Sequence, residues 1–170
     1  NVLREEISNL GILVMQNGVV GNNNHRILNV AEFRAFVLID QYVPLIFLNA
    51  RDSTNAKVFS LCHELVHVWL GVDELYNDNF TSNQIVNNSQ LEKFCNEVAA
   101  EMLLPLSSIQ STLEPQLDIY TNIKHISKVF NVSELVVCIR LKEKKIIDNK
   151  VFNEVYANLL IEMIENLLGK

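Results

Sequence analysis

The sequence predicts an α+β fold, a small N-terminal β-sheet packed on a mainly helical body. Two observations carry this prediction. Short β-rich apolar runs, bounded by turn residues, are confined to the part of the chain before Ser53. From Ser53 onward apolar residues recur at helical spacing between residues that start and stop helices. With 170 residues and 49% hydrophobic composition, the chain can bury one core of its own. A single domain is therefore expected over 1–170, divided into an N-terminal helix and strands (1–52), a central pair of helices (53–105) and C-terminal helices (106–170).

Taken in order, the chain opens with a helix and then the apolar run Gly11–Met15. Asn17-Gly18 reads as a hairpin turn before Val19-Val20. Two further strands are expected at Glu32–Ile39 and Val43–Leu48, joined by Asp40-Gln41-Tyr42, and Pro44 starts the second at an edge or after a turn. Asp52-Ser53-Thr54 supplies capping residues for a helix in which Val58, Cys62, Leu65 and Trp69 repeat up to a stop at Gly71. The Asn-rich stretch Tyr76–Asn88 reads as a loop. A second helix is expected from Ser89 to Leu104, ending at Pro105, and further helices around Ile119–Phe130, Ser133–Leu141 and Asn149–Leu168. The last of these is amphipathic through Val155, Leu159, Ile161, Met163, Ile164 and Leu167, which reads as core before it reads as a seam for another helix.

Composition narrows the function. No apolar run reaches the roughly 20 residues that cross a bilayer, and Arg4, Glu5 and Glu6 do not suit a secretory leader. Asn1 in place of an initiator methionine leaves open a preceding segment. Cys62, Cys95 and Cys138 are odd in number and sit in apolar patterns, so free thiols and a cytoplasmic location are expected. A net charge of −6 argues against nucleic acid as the main partner.

His63-Glu64-Leu65-Val66-His67 is an H-E-x-x-H pattern inside a predicted helix. Residues four apart share one face, so both imidazoles can reach one ion. Glu64 is turned about 100° from His63, beside the ion and placed to act as a base. Zinc suits this set, since it lowers the pKa of water from about 15.7 toward 7 and a carboxylate can then take the proton. Ala56 and Ser60 leave room on the same stripe, while Phe59, Cys62, Leu65, Val66 and Trp69 form an apolar face.

A catalytic zinc needs a third protein ligand. On the second helix the expected core stripe is Leu91, Phe94, Cys95, Val98 and Met102, with Glu92 and Asn96 flanking it on one side. Glu97 and Glu101 fall with Lys93 on what reads as a solvated face. Glu92 is the candidate ligand, and Asn96, one turn on, can orient a metal-binding imidazole. The competing reading is a capping box, Ser89-x-x-Glu92, which would use the same carboxylate.

The stretch EFRAFVLIDQYVPLIFLNARDSTNAKVFSLCHELVHVWLG and the later LEKFCNEVAAEMLLP resemble the ImmA/IrrE family of metallopeptidases. The second segment is similar to that family's E-x-x-A-N-x-F-A-x-x-L-L-x-P helix, with Cys95 at the Ala position and Val98 at the Phe position. The likeness spans Glu32 to Pro105. It implies a zincin-like body, zinc bound by His63, His67 and Glu92, and Glu64 as general base. The E-x-x-x-N spacing also looks like the ligand helix of thermolysin-type zinc peptidases. By the same resemblance the substrate is a protein, in particular a helix-turn-helix transcriptional repressor. The runner-up is a non-catalytic, metal-stabilised module that binds a repressor or DNA.

Other features carry less. Ile123–Leu141 reads as helix, turn at Asn131, helix, yet its second helix offers mainly Ser133, Glu134 and Arg140 to a base edge. His125 is a candidate donor to a developing oxyanion or an ordinary histidine. Tyr42 and Tyr76 are further possible donors, and His25, in a polar stretch, has no assigned role.

Overall fold

The computed structural model describes residues 2–21, 23–72 and 82–168. They fall into two compact units, Asn1–Ala99 and Ala100–Lys170. Each has its own apolar cluster, and the architecture is α+β, as predicted.

In the first unit, helix α1 (Val2–Asn9) precedes strand β1 (Leu13–Asn17), a short antiparallel pair β2 (Val19–Val20) and β3 (Asn23–Ile27), and strands β4 (Ala35–Leu38) and β5 (Leu45–Asn49). The sheet order is β1-β5-β4, with β5 parallel to β1 and antiparallel to β4. Alternation along the strands sorts the side chains. Val14, Ile46 and Val37 stand in register and are buried, whereas Met15, Phe47 and Phe36 line the opposite face, where the two phenylalanine rings stack at 5.0 Å. Helix α2 (Thr54–Leu70) lies on the buried face and adds Leu61 and Leu65 to that cluster. Each such side chain contributes about 1.5–3 kcal/mol by leaving water, which anchors α2 firmly.

Both ends of α2 follow from single residues. The Ser53 hydroxyl accepts the Ala56 N–H at 3.2 Å, and Gly71, in the left-handed region at φ 65°, donates to the last carbonyls. Trp69 differs from expectation. It is 57% exposed, and the anchoring is done by Leu61, Cys62, Leu65 and Val66.

Asn17-Gly18 does not make the expected hairpin. Neither residue takes the positive φ that a two-residue hairpin turn requires, and β1 pairs with β5 instead. Gly18 serves a close approach: a Cβ there would meet Arg51 Cδ at 3.1 Å. Pro44 does precede a strand after a turn, but β5 is central rather than an edge.

Helix α3 (Ser82–Leu103) begins earlier than predicted, so residues 82–88 are helical rather than loop, and 76–81 lie outside the described residues. The stretch 82–88 has only Ile85 and Val86 as apolar residues, too few to show a helical period. The phase of the helix also differs. Cys95 and Ala99 are fully buried while Phe94 is 50% exposed, so the inward stripe is turned toward Glu92 and Asn96.

The second unit holds α4 (Leu106–Thr112), which the sequence reading passed over, then α5 (Ile119–Phe130), α6 (Glu134–Glu143) and α7 (Asn149–Leu168). Leu104, Ile109, Ile123, Ile126, Val137, Leu141, Val155 and Leu159 form its core. The turn at Asn131 is present, with that residue at φ 53°, a conformation asparagine tolerates. On α7, Val155 and Leu159 are core as expected, whereas Ile161 and Ile164 are exposed; the Met163 and Leu167 side chains lie outside the described residues. No helix among the described residues is long and apolar enough to cross a membrane.

Candidate metal centre

His63 and His67 project from one face of α2, and α3 brings Glu92 against them. Within the first unit, Glu92 Oε2 is 3.2 Å from His63 Nε2, Glu92 Oε1 is 3.0 Å from His67 Nε2, and the two Nε2 atoms are 3.1 Å apart. This is the one group of three or more potential ligand residues among the described residues whose donor atoms converge. His67 is buried, His63 nearly so, and the Glu92 side chain keeps 34% exposure, which leaves the cluster open on one side.

The donor set fits a zinc-sized cation. Bonds of about 2.0–2.1 Å in a tetrahedron put neighbouring ligand atoms about 3.3 Å apart, close to the spacing seen here. Glu92 Oε1 is shielded from water and accepts no hydrogen bond despite the 3.0 Å approach of His67 Nε2. A buried carboxylate oxygen without a donor is costly, and a cation at the common point removes that cost.

Neighbouring residues hold the ligands in place. His63 Nδ1–H donates to Asn96 Oδ1 at 3.0 Å, and the Phe59 ring lies 6.4 Å from the His63 ring. Phe59 was read from sequence only as part of an apolar face. Glu64 is partly buried and follows His63 on α2. The Cys62 thiol, pushed up to about 11 by burial, stays protonated and packs as an apolar group.

The capping box is not formed. Ser89 lies well inside α3, so Glu92 is an interior residue whose carboxylate faces the two imidazoles. Glu101 keeps 46% side-chain exposure but is engaged by the protein: it pairs with Arg140 and Lys144 and accepts the Leu106 N–H at 3.0 Å. Arg140, offered above as a base-reading side chain, is buried in that pairing. His125 lies in the second unit, 3.7 Å from Glu114, while Tyr42 is exposed and Tyr76 is outside the described residues.

An H-E-x-x-H helix on a small sheet, with a carboxylate from the following helix, defines a metallopeptidase-like domain. The chain belongs to the IrrE N-terminal-like domain family, Peptidase_M78, whose model matches residues 8–142. A search among curated proteins finds no match to the chain.

Proposed function

We propose that this chain is a zinc-dependent endopeptidase that cleaves a regulatory protein, such as a helix-turn-helix repressor, in the cytoplasm. The convergence of His63, His67 and Glu92 carries the reading, and the peptidase character of the family supports it. The choice of a repressor as substrate rests on the resemblance alone. Zinc in such a site acts as a Lewis acid toward a carbonyl and lowers the pKa of water toward about 7.

The chain's own groups do the remaining work. His63 Nε2, His67 Nε2 and a Glu92 oxygen hold the ion. The Glu64 carboxylate takes a proton from the attacking water and passes it to the leaving amine nitrogen. The hydroxyl ends on the acyl carbon, the C–N bond breaks, and Glu64 returns to its starting state.

Glu64→Gln tests this. The amide keeps the shape but cannot take the proton, so zinc content by elemental analysis stays at one per chain while cleavage falls by about 10²–10⁴-fold. Full activity in this variant against the cleaved protein overturns the mechanism. Another metal in the purified chain overturns the zinc assignment.

A further inference from the structure

We propose that the cleft between the start of α5 and one face of α7 docks a cationic amphipathic helix of a partner protein. The proposal concerns the second unit alone and is independent of the metal-dependent activity proposed above. A cleft of about 580 Å³ opens there. Ile119 of α5 and Val151, Val155 and Ile161 of α7 give it an apolar lining, in which Val155 is buried and Ile161 is 54% exposed. Val151, Val155, Asn158 and Glu162 fall within about 60° of one another around α7, so successive turns face the same cleft. The apolar edge continues beyond the cleft to Ile164, which is 50% exposed. From Val151 to Ile164 this face runs about 20 Å, the length of roughly three to four helical turns. A groove of that length beside a helix suits an amphipathic helix better than a compact ligand.

Charge identifies the occupant. Asp118, Glu154 and Glu162 line the cleft, and its described lining holds no basic side chain. The Asp118 carboxylate accepts the Tyr120 and Thr121 N–H groups at 2.9 and 3.0 Å. Glu162 accepts the Tyr120 hydroxyl and lies 3.4 Å from Lys124. One ammonium therefore stands against three carboxylates, and Glu154 has no ion-pair partner among the described residues. Glu165, exposed one turn past Ile161, extends the same sign along α7. Such a surface repels nucleic acid and an anionic membrane, and also a second copy of a chain whose net charge is −6. A small cation alone leaves the exposed isoleucines uncovered. A helix whose lysines or arginines flank an apolar stripe meets both demands: the stripe covers Ile161 and Ile164 while the cations face Glu154 and Glu165.

Fluorescence anisotropy of the full chain tests the proposal, with a labelled helical peptide of about 14 residues as probe, leucines on one face and lysines flanking them. The probe binds, and Ile161→Ser raises Kd about 10-fold through the loss of one covered apolar side chain. Glu154→Lys raises Kd about 3–10-fold and weakens its dependence on salt. Two controls leave Kd within about 2-fold: Glu5→Lys, the same charge change on α1, and Val129→Ser, an exposed apolar residue of α5 outside the cleft. A probe with glutamates in place of the lysines does not bind. Thermal melting checks that the variants fold, and Ile164→Ser replaces Ile161→Ser if the latter does not. No binding of the lysine probe, equal binding of the glutamate probe, equal losses in Glu5→Lys and Glu154→Lys, or full affinity in Ile161→Ser each overturns the proposal. So does a dimer of the chain alone, in sedimentation, that Ile161→Ser dissociates, since a second copy then covers the face.

Discussion

Among the described residues, each compact unit holds a cluster of charged or titratable groups built around a buried side chain, His67 in the first and Arg140 in the second, and the two clusters are composed in opposite ways. In the second unit, Arg140 is almost fully buried and brings its own charge: its guanidinium meets Glu101, Glu143 at 3.5 Å and the Leu104 carbonyl at 3.4 Å. Glu101 in turn accepts the Leu106 N–H and lies 3.3 Å from Lys144. Donors and acceptors balance there. At His63, His67 and Glu92 the groups turned toward the shared point are two imidazole nitrogens and a carboxylate, including an oxygen that accepts no hydrogen bond. Two imidazole nitrogens and a carboxylate around one point are a set that could hold a metal ion supplied from outside the chain. A buried polar cluster that balances itself is structure; one with acceptors in excess is a binding site.

The largest effects are expected where the excess is removed. Glu92→Ala and His63→Ala should each weaken zinc binding by more than the roughly 10–100-fold that changes behind the ligands cost, while leaving the metal-free chain folded. Chelator titration followed by circular dichroism measures both. Retained stoichiometric zinc in Glu92→Ala would mean that this cluster, too, balances itself.

The opposite pattern is expected for Glu101→Ala. It strips a buried arginine of its main partner at a site that water partly reaches, and should cost about 2–4 kcal/mol in urea unfolding with zinc stoichiometry unchanged. A linked measurement sharpens the contrast. Zinc held free at a hundred times its Kd should add about 2.7 kcal/mol of stability. Chelator removes this increment from the wild type and from Glu101→Ala, whereas Glu92→Ala has none to lose.

Smaller effects belong to the helix caps. Ser53→Ala should cost about 1 kcal/mol through the first turn of α2. The Asp118 carboxyl is held below its usual 3.8 by the Thr121 hydroxyl and by the Thr121 and Tyr120 backbone N–H groups. Its lowered folded pKa means that its stabilisation is present above the unfolded value and is lost as pH falls through the folded one. Asp118→Asn should therefore flatten the acid limb of the stability curve below pH 3.8, measured by urea midpoints.

Features set by neighbours along the chain were legible before the fold was known. The ends of α2 at Ser53 and Gly71, and the spans of α5 and α7, follow from local hydrogen bonding and periodicity. The four-residue spacing of His63 and His67 is likewise a property of one helix. Glu92 and Asn96 were legible as candidates because they share a flank of one predicted helix, although the competing cap could be dismissed only once α3 was seen to start at Ser82.

What the sequence by itself determined is thus most of the helices, α4 and the first turns of α3 excepted, and the side chains able to bind a cation. The tertiary structure decided which of them meet. Parallel pairing of β1 with β5 joins residues some thirty positions apart and leaves no mark in either strand, since alternating burial looks the same for any partner. The phase of α3 differs from expectation because Phe94 outranks Ala99 in apolarity, yet Ala99 is the one that is fully buried while Phe94 is half exposed. The pairing of Arg140 with Glu101 was not legible, because a charged residue shows its partner only when a distant helix brings it. Local physics acts through bonded neighbours and is written in order along the chain; packing acts through space, between residues whose separation in sequence carries no information.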